Sequence, residues 1–347
     1  MTRATRLTAG ILLAGILAAQ NAEQVLIKGV EEFHSGRYPA ALATLKHAVE
    51  LSPADARAIT FLALTRAATG DCAHSLDELM LQSRRIADPA VRRLAQLASI
   101  QCLLARNDYT TIFPILSDLL AGAPNDPDVL YEAAKVYNRA WNAMVYEMFQ
   151  RTPASYRVNQ LSAEIFETQG RYAEAAGEYR KAIEKNSQAV NLHFRLGRAI
   201  LLESHSPQAL ESARKEFEAE LALNPGDAAA EYQAGQILIA QQKPSEAAAH
   251  YERAVTLSPA FPEALTALGK LRASAKQYDD AIQLLQRAIQ AAPAMEAAHY
   301  ALMMAYRDTG RSQEAAREKA ELDKLQKPPE GEFTDFLKKL GEKAPKQ

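Results

Sequence analysis

Pro225, Pro259 and Pro293 recur every 34 residues, and the segments they close read alike. ALNPGDAAAEYQAGQILIAQQKPSEAAAHYERAVTLSP is followed by AFPEALTALGKLRASAKQYDDAIQLLQRAIQAAP. In each segment, two amphipathic stretches of about a dozen residues flank a short polar turn, which reads as helix–turn–helix. A repeat of this length constrains the fold strongly. One such hairpin cannot bury its apolar face alone, so successive copies must stack. Small residues recur at fixed places: Gly197, Gly235 and Gly269 at the eighth position, Ala175, Ala247 and Ala281 at the twentieth, and Ala182, Ala254 and Ala288 at the twenty-seventh. The twenty-fourth position is large (Tyr179, Phe217, Tyr251, Leu285). Close helix approach explains both: a bulky side chain at a small site overpacks at about 1–3 kcal/mol, and the large residue fills the space left open.

The pattern can be followed through about nine units. The first runs from Ala22 to Asp55, with Gly29, Gly36, Tyr38, Ala41, Ala48 and Pro53 in register. The second has Gly70 and Asp71 at its turn and ends near Ala87–Pro89. The third turns at Asn107 and Asp108 and ends at Pro124. The fourth is degenerate, with Arg139-Ala140-Trp141-Asn142 where the turn belongs. The sixth is four residues too long, and Glu203 to Gln208 reads as a loop insertion between its helices. The ninth carries Gly310 and Ala315. No Gly/Ser linker interrupts residues 23–327, so one continuous array is expected rather than two domains. After Lys327-Pro328-Pro329 the pattern stops. Phe333, Phe336, Leu337 and Leu340 then fall on one helical face, which predicts a solvating cap over residues 328–347.

The sequence of landmarks (Leu-Gly, Tyr, Gly-x-Tyr, Ala, Phe or Tyr, Ala, and finally Pro) resembles the tetratricopeptide-repeat family. GRYAEAAGEYRKAIEKNS and SGRYPAALATLKHAVELSP match its second half closely. The resemblance implies an all-α, right-handed superhelical solenoid of helix–turn–helix repeats whose first helices line a concave groove for a peptide or extended segment. In that family, positions 2, 5, 9, 12 and 13 tend to point into the groove. Carried onto this chain, they give Tyr131, Lys135, Asn138 and Arg139 in the fourth unit, and Arg157, Gln160, Glu164 and Glu167 in the fifth. The sixth and seventh add Asn191, Phe194, Arg198, Tyr232 and Gln236, and the last pair Glu263, Lys270, Tyr300, Met304 and Arg307. Some relatives hold a terminal carboxylate with a Lys/Asn set at positions 5 and 9. Tyr131 and Lys135 stand there in the fourth unit, a departure from that mode.

Forty Lys and Arg against 42 Asp and Glu leave a net charge of −2, without the basic excess of a nucleic-acid binder. Arg3 and Arg6 precede an apolar run from Leu7 to Ala19, the form of a secretory signal peptide cleaved near Ala19 to Ala22. A first helix buried against the array, or an uncleaved anchor over residues 1–22, is the alternative. Export makes the chain a bacterial-type periplasmic or extracellular protein of net charge about −4. Cys72 and Cys102 should lie toward the same end of adjacent antiparallel helices, as a disulfide if the protein is exported or as two small buried thiols.

A search for chemistry finds no constellation. The seven histidines are scattered, and there is no Gly-x-Ser-x-Gly, no Gly-x-Gly-x-x-Gly and no phosphate-cradling loop. His193 and His299 share one repeat position, which packing explains. The expectation is a non-catalytic scaffold with no cofactor or metal, binding a protein or peptide within a cell-envelope assembly. The alternative is a membrane-tethered accessory subunit of a secretion, pilus or surface-glycan export machine. Glycosyltransferases that carry such arrays have a catalytic domain that is missing here.

Overall fold

A computed structural model describes residues 4–326; the expected capping helix at 328–347 lies outside them. Among the described residues there are seventeen α-helices and no strand. The chain divides into two compact units, Met1–Arg151 and Thr152–Gln347, where one uninterrupted array was expected. The division falls at the end of the degenerate repeat. In the first unit α1 (Ala4–His34) pairs with α2 (Tyr38–Leu51), α3 (Ala56–Ala68) with α4 (Leu76–Arg85), and α5 (Pro89–Ala105) with α6 (Tyr109–Gly122). Next comes α7 (Pro127–Arg151), a single helix of 25 residues that runs straight through Arg139–Asn142. No glycine or proline lies in that stretch to stop it, so the fourth repeat has no turn and no second helix.

The second unit contains five hairpins. These are α8 (Tyr156–Thr168) with α9 (Tyr172–Lys185), α10 (Leu192–Glu203) with α11 (Pro207–Leu223), and α12 (Ala228–Ala240) with α13 (Pro244–Leu257). The last two are α14 (Pro262–Ser274) with α15 (Tyr278–Ala291), and α16 (Glu296–Asp308) with α17 (Ser312–Leu325). The extra residues of the sixth repeat are not a loop. Only Ser204–Ser206 separate its helices, and Pro207, at the first turn, lets α11 start early and run 17 residues. Among the described residues no helix is long and apolar enough to cross a membrane.

The small and large positions meet as the repeat requires. A Cβ at Gly235 would stand 2.5 Å from the Tyr251 ring, and one at Gly197 would stand 2.9 Å from Phe217. Gly269 faces Leu285 and Gly29 faces Leu45 in the same way. The turn inside most hairpins needs one residue at positive φ, which glycine adopts without strain. Gly70 and Gly170 supply it; Gln242 and Lys276 take the same conformation at φ 60° and 61° without that freedom.

Positions 4 and 23 of the second unit's hairpins also face one another. They carry Asn159 and Glu178 (2.6 Å), His193 and Glu216 (2.7 Å), and His299 and Glu318 (2.7 Å). In the seventh repeat the order is reversed, with Glu231 on α12 and His250 on α13, 2.6 Å apart, and Arg253 also donates to Glu231. The eighth repeat replaces the pair by Leu265 and Leu284, packed in one apolar cluster. Removing one member of a buried pair leaves the other unmatched, whereas an apolar pair of similar size is often neutral. Glu231→Leu is therefore expected to cost about 2 kcal/mol, and Glu231→Leu with His250→Leu to recover most of it. Arg253, half exposed, can turn to water. Urea unfolding followed by circular dichroism measures both; a double variant no more stable than the single one rules the exchange out.

Cys72, in the loop before α4, is bonded to Cys102 of α5, with Cα atoms 5.4 Å apart. Cys102 lies in the core with Leu76, Ile100 and Leu103.

Candidate functional site

First helices adjoin first helices, as α14 adjoins α16, so their outer positions share one surface. Along the second unit the fifth position reads Gln160, Phe194, Tyr232, Thr266 and Tyr300. Thr266 is the smallest of these, and with Ala267 and Ala297 beside it the surface opens into a cavity of about 340 Å³. Tyr232, Gln236, Glu263 and Lys270 line it, all four expected from the repeat positions. Ile239, Thr266, Leu271, Met295 and the buried Tyr251 complete the walls.

The geometry favours an apolar side chain with a polar rim. The Tyr232 ring lies 5.8 Å from that of Tyr251 and 5.2 Å from that of Phe261, which holds it in place. Gln236 Nε2 donates to the Tyr232 hydroxyl at 2.7 Å, leaving the phenol proton for an acceptor in the cavity. Burial pushes the Tyr232 phenol up, the Gln236 hydrogen bond partly reverses this, and the charge of Glu263 adds to it. Tyr232 is therefore a neutral donor at physiological pH. Glu263 and Lys270 stand two turns apart on α14, about 10 Å along the axis, so the rim is acidic at one end and basic at the other.

The remaining expected residues are placed differently. Arg157 donates to Gln160 at 2.8 Å and Gln160 to Glu164 at 3.0 Å, a ladder in which the groups satisfy one another. Arg195 closes its far end, 3.5 Å from Glu164 and 3.8 Å from Glu167. Burial pulls the Arg195 guanidinium down, and Tyr179, Glu164 and Glu167 more than reverse it. Arg198 lies 6.0 Å above the Phe194 ring. Asn191 lies before α10 at φ 72° and serves the start of that helix. Tyr300 is exposed on α16, where Arg307 approaches the Met304 sulfur at 3.5 Å; none of these three lines the cavity. Tyr131, Lys135, Asn138 and Arg139 belong to α7 of the first unit, where Lys135 covers the Tyr131 ring and pairs with Glu132, and Asn142 donates to Asn138.

Position rules overlooked Met295. It occupies the residue before α16, where Asp55, Asp126 and Asp227 cap other first helices, and its break from that pattern was the available signal. Among the described residues no group of three His, Cys, Asp or Glu is placed to hold a metal ion.

Stacked hairpins with an apolar, polar-rimmed slot on their first-helix surface define a helical-repeat protein. The tetratricopeptide-repeat profile matches residues 161–228, 208–264, 232–296 and 266–322, just under half of the chain. Residues 161–322 of the second unit are therefore tetratricopeptide repeats. No curated protein matches the sequence. Solved structures that resemble it include a crystal structure of MamA, at 20% identity and TM-score 0.43, covering 47% of this chain and 94% of that one. A MamA fragment from Desulfovibrio magneticus RS-1 is 19% identical, with TM-score 0.44 and coverage of 49% and 94%. YrrB, described as a TPR protein with an unusual peptide-binding site, is 19% identical, with TM-score 0.44 and coverage of 52% and 92%.

Proposed function

We propose that this protein is a non-catalytic scaffold that binds an extended segment of a partner along the first helices of its second unit. The cavity between Tyr232 and Met295 carries this reading, because it is the right size for one large apolar side chain with its flanking backbone. Tyr232 and Gln236 offer hydrogen bonds to that backbone, and Glu263 and Lys270 sense charge on either side of the anchor. The partner class is a peptide with a Leu, Met or aromatic anchor, and no nucleotide or metal is needed. An extracytoplasmic setting is supported by the Arg3/Arg6 start with its apolar run and by the Cys72–Cys102 bond, which suits an oxidising compartment. Burial begins at Leu26 among the described side chains, downstream of a cleavage near Ala19 to Ala22.

The test is a fluorescein-labelled peptide library with aromatic or aliphatic anchors, read by anisotropy. Tyr232→Ala, which removes an aromatic wall, is expected to weaken the selected peptide about 10- to 30-fold. Lys270→Glu should change which flanking charges are selected. Selected peptides that bind both variants unchanged would move the site off this cavity.

A further inference from the structure

α7 carries a face that the first unit does not use. It leans on α5 and α6 through Val129, Ala133 and Val136, all buried. To one side of that contact Leu130, Tyr137, Trp141 and Met144 are 47%, 54%, 53% and 60% exposed. With Ala134 they are spaced 4, 3, 4 and 3 residues apart, the a/d rhythm of a helix that packs along its length against another helix. Phe113 of α6 extends the patch by stacking on Tyr137 at 6.2 Å. The charged residues of α7 do not interrupt the stripe, since Lys135 is paired with Glu132 and Arg151 with Glu147 on the same helix.

We propose that this stripe is covered by α7 of a second copy of the chain, running antiparallel about a two-fold axis near Arg139. The stripe is complementary to its own reverse. In that register the small Ala134 of one copy meets the long Met144 of the other, and Tyr137 meets Trp141, each contact occurring twice. Beside the axis Asn138 meets its own mate, amide to amide, and Ala140 meets Ala140, which lets the helices approach. A parallel pairing sets Ala134 against Ala134 and Trp141 against Trp141, a hollow layer next to a crowded one. The four exposed side chains offer on the order of 500 Å² per copy. Two copies therefore bury about 1,000 Å², the lower limit for a specific interface, so association in the micromolar range is expected.

Sedimentation velocity of the full chain from about 1 to 200 µM is the measurement. The expected result is a monomer–dimer transition that Trp141→Glu combined with Met144→Lys moves at least tenfold to higher concentration. The melting temperature of the dilute protein should not change, because both side chains are exposed. A chain that stays monomeric throughout, or a dimer that the double variant leaves intact, overturns the proposal. Orientation is read by oxidative cross-linking, since the two native cysteines are already bonded to each other. Asn138→Cys should form a covalent dimer. Leu130→Cys should not, because its mate lies about 27 Å away in the antiparallel pair. Cross-linking through position 130 instead indicates a parallel pair or another interface, and rejects the arrangement.

Discussion

Glu220→Ala is expected to lower the stability of the second unit by about 2–4 kcal/mol, although other repeats carry alanine at the same place. Ala48, Ala182, Ala254 and Ala288 occupy the equivalent position. In two of those repeats a Ser or Asp side chain caps the repeat's own first helix: Ser155 before α8 and Asp227 before α12 accept hydrogen bonds from the amides two or three residues on. The sixth repeat has Ala189 there, which offers no acceptor. Its first helix starts two residues late, with Asn191 at φ 72°. Glu220, with 0% of its surface exposed, reaches back from α11 and takes the Asn191 amide at 2.7 Å and the Phe194 amide at 3.3 Å. A carboxylate at a helix start also meets the positive end of the helix dipole. Truncation leaves those donors without a partner in a part-buried place. Ala189→Asp added to Glu220→Ala restores the arrangement of those two repeats and should return about 1 kcal/mol. Urea unfolding by far-UV circular dichroism provides the comparison. A neutral Glu220→Ala shows that water replaces the carboxylate; a double variant with no recovery shows that the late helix start has another cause.

Removing the Cys72–Cys102 bond should cost the first unit about 3.6 kcal/mol, the chain-entropy value for a closed loop of some 30 residues. Cys72→Ala with Cys102→Ala keeps the buried site apolar, so loop closure dominates the change. Trp141 is the only tryptophan and lies in the first unit, so its fluorescence follows that unit alone. Its urea midpoint should fall by about 1–2 M, while the transition of the second unit stays in place. A shift in both transitions ties the two units into one cooperative block. Protein recovered under denaturing, unreduced conditions from its native cell should show no titratable thiol. Two free thiols there overturn the oxidising-compartment reading.

Much of the architecture was legible in the sequence because the repeat states each requirement several times. Gly235 and Tyr251 sit sixteen residues apart, and the same interval separates Gly269 from Leu285 and Gly29 from Leu45, so one packing rule appears in several copies. The hairpins and their small contact sites follow from that recurrence. Tyr232, Gln236, Glu263 and Lys270 came from the positions that the family resemblance implies. The width of the cavity was not, because it depends on Thr266, Ala267 and Ala297 being small together across two helices.

Single events have no second copy to average over, and there the sequence alone was insufficient. The four extra residues of the sixth repeat could lengthen a loop or a helix; Pro207 at the first turn let α11 take them up. Arg139–Asn142 could turn or continue, and continuation won because no residue there stops a helix. The buried Glu220 broke the alanine pattern without revealing its target, since the amides it serves lie 29 and 26 residues earlier and face it only once the hairpin has closed. The sequence by itself determined the helical-hairpin repeat and its contact rules, because these follow from local periodicity and side-chain volume. Tertiary structure alone decided where the first-helix surface opens, which helix remains single and where the chain divides, because each depends on contacts between residues far apart in the chain.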